Sequence, residues 1–186
     1  MPLIAPAPFE TARFRVRLVT RADLPALLVV NGDAAVTQFL PYDTWRAMSD
    51  AEAWLGRVEK SQATGTALQF VIAEKATDRA IGTALIFRYD EGSARAELGY
   101  VLGRAYWRTG AMFEALHALI DQAFCAMALR RLEAEVNPHN AASIALLERL
   151  GFKREGLSRE RWVNKGVPTD VVTFGLLSRE KPVTAS

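Results

Sequence analysis

Residues Leu102 to Met112 read Leu-Gly-Arg-Ala-Tyr-Trp-Arg-Thr-Gly-Ala-Met, the end of an apolar strand running into a short turn that opens a long amphipathic helix. The first N–H groups of a helix have no partner inside it, and the positive end of the helix dipole lies over them. With Arg104 and Arg108 beside Thr109, Gly110, Ala111 and Met112, such a turn makes a site for a phosphate or pyrophosphate of the kind a nucleotide cofactor carries. The two commoner phosphate loops are absent, since neither G-x-x-x-x-G-K-S/T nor G-x-G-x-x-G occurs in the chain. On this stretch alone, an ordinary strand–turn–helix junction with surface arginines fits equally well. Just upstream, Glu97 shares a strand face with Gly99 and Val101 by two-residue alternation. That aims it either into a cleft, as a general base, or at solvent.

A second segment adds to the first. Arg131 to Val136 reads as a strand, followed by Asn-Pro-His-Asn-Ala-Ala-Ser-Ile-Ala-Leu-Leu-Glu-Arg-Leu-Gly-Phe from Asn137 to Phe152. Asn140 suits a helix N-cap with Ser143 three residues on, and Ile144, Leu147 and Leu150 give an apolar helical stripe that Gly151 ends. Asn137 and Pro138 shape the turn out of the strand, because a residue before proline is pushed out of the helical region. Together, E-L-G-Y-x-L…Y-W-x-x-G…E-A and N-P-x-N-x-x-S-I-x-L-L-E-R-L-G-F resemble the Gcn5-related N-acetyltransferase (GNAT) superfamily. Within it they are most similar to the RimJ/RimL-type branch, whose members acetylate protein N-termini. The resemblance runs from about Ala12 to Leu177, and the pairing of the two motifs at this spacing is what makes it specific.

The resemblance implies one α/β (α+β) domain, with a mixed, mostly antiparallel central sheet flanked by helices. It implies acetyl-coenzyme A as donor and a primary amine as acceptor, either a protein N-terminal α-amine or a small amine, attacking directly. By the same resemblance, backbone groups of Tyr100, Val101 and Leu102 would pair with the pantetheine arm, and the pyrophosphate would sit on the N–H groups of Arg108 to Met112. Met112 stands where the family usually has a small residue, and its bulk could crowd the cradle. Glu97 would be the general base. Ser143 would assist the departing thiolate, because the tyrosine that many members carry on this helix is replaced by Leu147. Asn140 would cap the helix, bond a pantetheine amide, or both, with Asn137 beside it. The aromatic linker Phe39-Leu-Pro-Tyr-Asp-Thr-Trp45, including Tyr42, would roof the acceptor cleft, or Phe39 and Trp45 would instead pack against the core, and Glu160 would border the cleft from the last hairpin. The alternative is a non-catalytic acyl-coenzyme A binding module, favoured by Met112 and the missing tyrosine. The branch resembled often forms dimers, so a homodimer is compatible.

The elements that must hold these groups are readable. Arg13 to Val19 alternates as a half-exposed strand, and Thr20 to Asp23 resembles a capping box for a helix with Leu24, Leu27 and Leu28. Ser49 to Glu52 caps a second helix bearing Trp54, Leu55 and Val58. Three strands follow, 67–75, 80–89 and 93–102, then the long helix, about 109–128, and a final hairpin, 152–163 with 167–177. The expected layout is a Pro-rich flexible tail over 1–10, the catalytic domain over 11–180, and a frayed tail over 181–186. At 186 residues and half apolar, the chain is long enough for one core and short for two. With 23 basic against 21 acidic residues, it has no field to drive nucleic-acid binding. The lone Cys125 rules out an internal disulfide and is expected as a buried structural thiol. Glu114, His117 and Asp121 are expected to be solvated, and no metal is expected. With no signal-peptide pattern and no long apolar run, a cytoplasmic protein without membrane contact is expected.

Overall fold

Every position of Leu68–Glu74 except the last is buried, so the middle of the sheet must be covered on both faces. In the computed structural model, which describes residues 2–181, that sheet has eight strands. The chain enters through two short antiparallel strands, Phe9–Glu10 (β1) and Phe14–Leu18 (β2). A 3-10 turn leads to helix Leu24–Asn31 (α1), a short helix Ala34–Thr37 (α2) and helix Met48–Ala63 (α3). An antiparallel meander follows, Leu68–Glu74 (β3), Ala80–Asp90 (β4) and Arg95–Leu102 (β5). Helix Ala111–Cys125 (α4), strand Arg131–Val136 (β6) and helix Ala141–Arg149 (α5) precede the hairpin Lys153–Asn164 (β7) and Val167–Leu177 (β8). Spatial order is β1-β2-β3-β4-β5-β6-β8-β7, and only β5 and β6 run parallel. This is the single, mostly antiparallel α/β domain expected.

Strand alternation sends alternate residues to two cores. Phe70, Ile72, Ala96 and Leu98 pack on one face with Leu116, Leu119 and Ile120 of α4 and Leu147 of α5. Val71 and Ala80 pack on the other with Leu24 and Leu27 of α1 and Leu55 and Val58 of α3.

Several local expectations need correction. The Pro-rich lead-in is tied down over residues 2–10: Leu3 is buried, its N–H donates to the Gly65 carbonyl at 3.0 Å, and Phe9–Glu10 adds a strand. Of the C-terminal tail, residues 182–186 lie outside the described residues. Helix α3 begins before Ser49, because the Asp50 carboxylate accepts from the N–H groups of Arg46 and Ala47 at 2.7 and 3.1 Å. Strand β5 begins at Arg95, since Ser93 is held in the turn by the Asp90 carboxylate. Helix α4 stops at Cys125, whose side chain is exposed at the helix end instead of buried. Among the described residues no helix is long and apolar enough to cross a membrane.

Candidate active site

The sheet comes apart at its centre. β5 and β6 pair only from Arg95, Ala96 and Glu97 to Arg131, Leu132 and Glu133. Beyond that point β6 continues beside β8 to Val136, while β5 stays on β4 to Leu102. The facing edges, Leu98–Leu102 and Ala134–Val136, line a cavity of about 1090 Å³. Tyr100, Val101 and Leu102 thus present a strand edge without a strand partner, which an extended ligand can complete.

The gap leads to the start of α4. Gly110 holds a left-handed φ of 79° at the helix N-cap, and Arg108 is also left-handed at 61°. Among the described residues the N–H groups of Arg108, Gly110, Met112 and Phe113 have no hydrogen-bond partner, whereas Ala111 N–H reaches Thr109 Oγ1 at 3.4 Å. Met112 is buried in the core with Ala115 and Leu116 and also lines the cavity beside Gly110 and Ala111. Arg108, Gly110 and Ala111 line the cavity, but Arg104 does not. Arg104 is largely exposed and leans toward Asp33 at 3.9 Å. Thr109 also lies outside the lining, its hydroxyl donating to the Tyr106 carbonyl at 2.7 Å. Arg149, which sequence spacing did not single out, lines the cavity instead, its guanidinium 4.0 Å from the Phe113 ring centroid.

The turn after β6 is built as its residues demand. Asn137 Oδ1 accepts from His139 N–H at 2.9 Å, and Asn140 Oδ1 accepts from Ser143 N–H at 3.2 Å as the N-cap of α5. Both asparagines line the cavity. Ser143 Oγ lies 2.7 Å from the Tyr100 hydroxyl. Burial pushes that phenol up to about 12, with the Ser143 hydrogen bond opposing the shift, so it stays protonated. The 43-residue separation between the two gave no sequence signal for this contact.

Glu97 lies on the other face of β5, opposite Phe87 in the β4 register, with Gly99 opposite Leu85. It is only 5% exposed. Its Oε2 accepts from Arg88 Nη1 at 2.7 Å, and the same nitrogen lies 3.3 Å from Glu135 Oε2. Burial raises the Glu97 carboxyl above the usual range, Arg88 opposes this, and Glu135 and Glu133 add to it. The same cavity is also lined by Phe39, Tyr42, Trp54, Gln69, Thr83 and Glu135.

On the acceptor side, Trp45 takes the core-packing alternative and Glu160 lies away from the cavity. Trp45 is in the second core against Trp54, ring centroids 5.4 Å apart, and does not line the cavity. Glu160 is exposed at an irregularity in β7, its N–H donating to Asp170 Oδ1 at 2.8 Å. Asp170, not Glu160, lines the cavity, because the register shift between Ser158 and Trp162 displaces the alternation there.

The pattern that defines the acetyltransferase (GNAT) domain matches residues 13–153. The uncharacterized N-acetyltransferase p20 of Bacillus licheniformis is 37% identical over 170 residues, 91% of this chain and 96% of that protein. The [Ribosomal protein uS5]-alanine N-acetyltransferase of Escherichia coli is 34% identical over 126 residues, 67% of this chain and 65% of that protein. Among solved structures, Mycobacterium smegmatis RimJ in complex with CoA-disulfide superposes with a TM-score of 0.85 at 22% identity, covering 94% of this chain and 88% of that one.

Proposed function

The chain belongs to the GNAT acetyltransferase family, with ribosomal-protein acetyltransferases among its relatives, and from that membership we propose how this N-acetyltransferase works. Its donor is acetyl-coenzyme A and its acceptor a primary amine, a protein N-terminal α-amine or a small amine. The observation that carries the proposal is the gap between β5 and β6 ending at the unpaired N–H groups of α4. An open strand edge fits an amide-bearing arm, and free helix N–H groups with Arg108 fit a pyrophosphate. The relative named for the alanine of protein uS5 favours an N-terminal α-amine as acceptor.

Acetyl-coenzyme A supplies an acyl group activated as a thioester. Tyr100 to Leu102 hold its arm along β5, and Asn140 fixes the turn beside it. Glu97, on the opposite face of the strand, accepts the proton that the amine nitrogen loses as it bonds to the acyl carbon. As the carbon–sulfur bond breaks, the Ser143 hydroxyl donates a hydrogen bond to the sulfur. Base and thiolate partner thus sit on opposite sides of β5, so attack and departure need not share one group. No acyl-enzyme is required, and Cys125 is at the far end of α4.

Calorimetry tests the cradle. Coenzyme A should bind the parent, and Gly110→Glu should abolish binding while circular dichroism shows the fold retained. The substitution adds a negative charge and a side chain at the left-handed N-cap of α4, beside its free N–H groups. A variant that binds like the parent would put the phosphate site elsewhere.

A further inference from the structure

Arg88 occupies a backbone conformation that its side chain disfavours. Its φ is 51°, in the left-handed region, at the point where the β4–β5 register slips between Phe87 and Asp90. Phe87 pairs with Glu97 and Asp90 with Arg95, so Arg88 and Tyr89 together oppose Ala96, one residue too many. A left-handed residue at such a bulge is ordinarily glycine. Regular alternation would turn residue 88 away from the face that Phe87 and Glu97 share. The bulge instead brings the guanidinium to both Glu97, at 2.7 Å, and Glu135, at 3.3 Å.

We propose that Arg88 is a positioning residue for the transfer reaction: held at a strained bulge, it keeps the buried Glu97 ionised and aimed, so that Glu97 can take the acceptor's proton at neutral pH. This rests on Glu97 being the base. The charged groups facing Glu97 are Arg88 from β4 and Glu133 and Glu135 from β6. Glu133 is matched by Arg95 and Arg131, both at 2.8 Å. Glu135 has Arg161 at 3.6 Å besides Arg88. Glu97 has Arg88 alone as a cation partner among the described residues. Without it, a carboxylate 5% exposed would stand beside two others and hold its proton. Glu97 Oε1 has no hydrogen bond among the described residues, which leaves one oxygen for the amine or an intervening water.

The test is the pH profile of kcat/KM with acetyl-coenzyme A and one fixed amine acceptor, so that the acceptor's own titration is common to all variants. Arg88→Gly should move the acid limb up by about one pH unit and lower the plateau by less than Glu97→Gln does. Arg88→Lys, restoring a cation, should bring the limb part of the way back. Glycine relieves the left-handed backbone and so offsets part of the cost of leaving Glu97 without its cation, and Arg88→Gly should stay folded with at most a modest fall in Tm. A profile lowered uniformly, with no shift of the limb, would overturn the proposal, as would a large fall in Tm that accounts for the lost rate. Glu97→Gln separates the two layers: if it keeps the parental profile, the base reading itself fails and Arg88 has nothing to position.

Discussion

Glu97 is a carboxylate with its proton affinity raised by burial and checked by one arginine. That balance suits a group that must be ionised before the reaction and protonated after it. Glu97→Gln should lower turnover by on the order of 100- to 10,000-fold near neutral pH, the range typical of positioned general bases, with cofactor affinity unchanged. The loss should shrink at high pH, where more of the amine is already unprotonated. Ser143→Ala should cost less, because the Tyr100 hydroxyl stays beside the vacated position. Steady-state rates and calorimetry on the two variants check both statements. The identity of Glu97 and Ser143 as candidates was legible, since one followed from strand alternation and the other from a motif. Their partners were not: Arg88 reaches Glu97 only through a bulge, and Tyr100 meets Ser143 only after the chain has folded.

At the scale of elements, strand ends and helix starts were readable wherever a local side chain decides them. Asn140 caps α5, and Gly151 ends it at a φ of 91°. Starts decided by a carboxylate reaching backwards, as Asp50 does for α3, were misplaced by a residue or two. The capping box read at Thr20 to Asp23 is present and joins β2 to α1. Asp23 is buried, takes both Arg17 nitrogens at 2.8 Å, and accepts from Thr20 N–H at 2.8 Å. Burial alone would raise its pKa, but Arg17 and Thr20 outweigh it and the carboxyl ends below its ordinary value. A depressed carboxylate stabilises the fold above its unfolded pKa, and that contribution is lost as pH falls through the lower, folded value. Asp23→Ala should cost about 2 to 3 kcal/mol, somewhat under the loss for a fully buried pair because Asp78 still meets Arg17 at 3.2 Å. Urea unfolding at pH 7 should show this difference, and it should narrow in acid well below pH 4. An equal difference at both pH values would count against the linkage.

Across the whole molecule, two-residue and helical periodicity made the order of elements and the mixed sheet legible from Arg13 to Leu177. The cavity was less so. Its wall on the Glu97 face includes Gln69 and Thr83, and Phe39, Trp54 and Asp170 line it too, drawn from both ends of the chain by the sheet order. No local pattern marks residues that meet only across strands. That is why Trp45, taken into the second core, and Glu160, displaced by a register shift, lie off the cavity. The same sheet order makes one claim central: the parted strands hold a thioester donor whose acyl group passes straight to an amine. The direct measurement is mass spectrometry of a reaction containing acetyl-coenzyme A and peptides that differ in their first residue, with small amines alongside. One acetylated amine should form for each free thiol released, and the intact enzyme should carry no acetyl group at any time. Thiol release without an acetylated amine, or an acetylated enzyme that forms and decays at the rate of turnover, would contradict it.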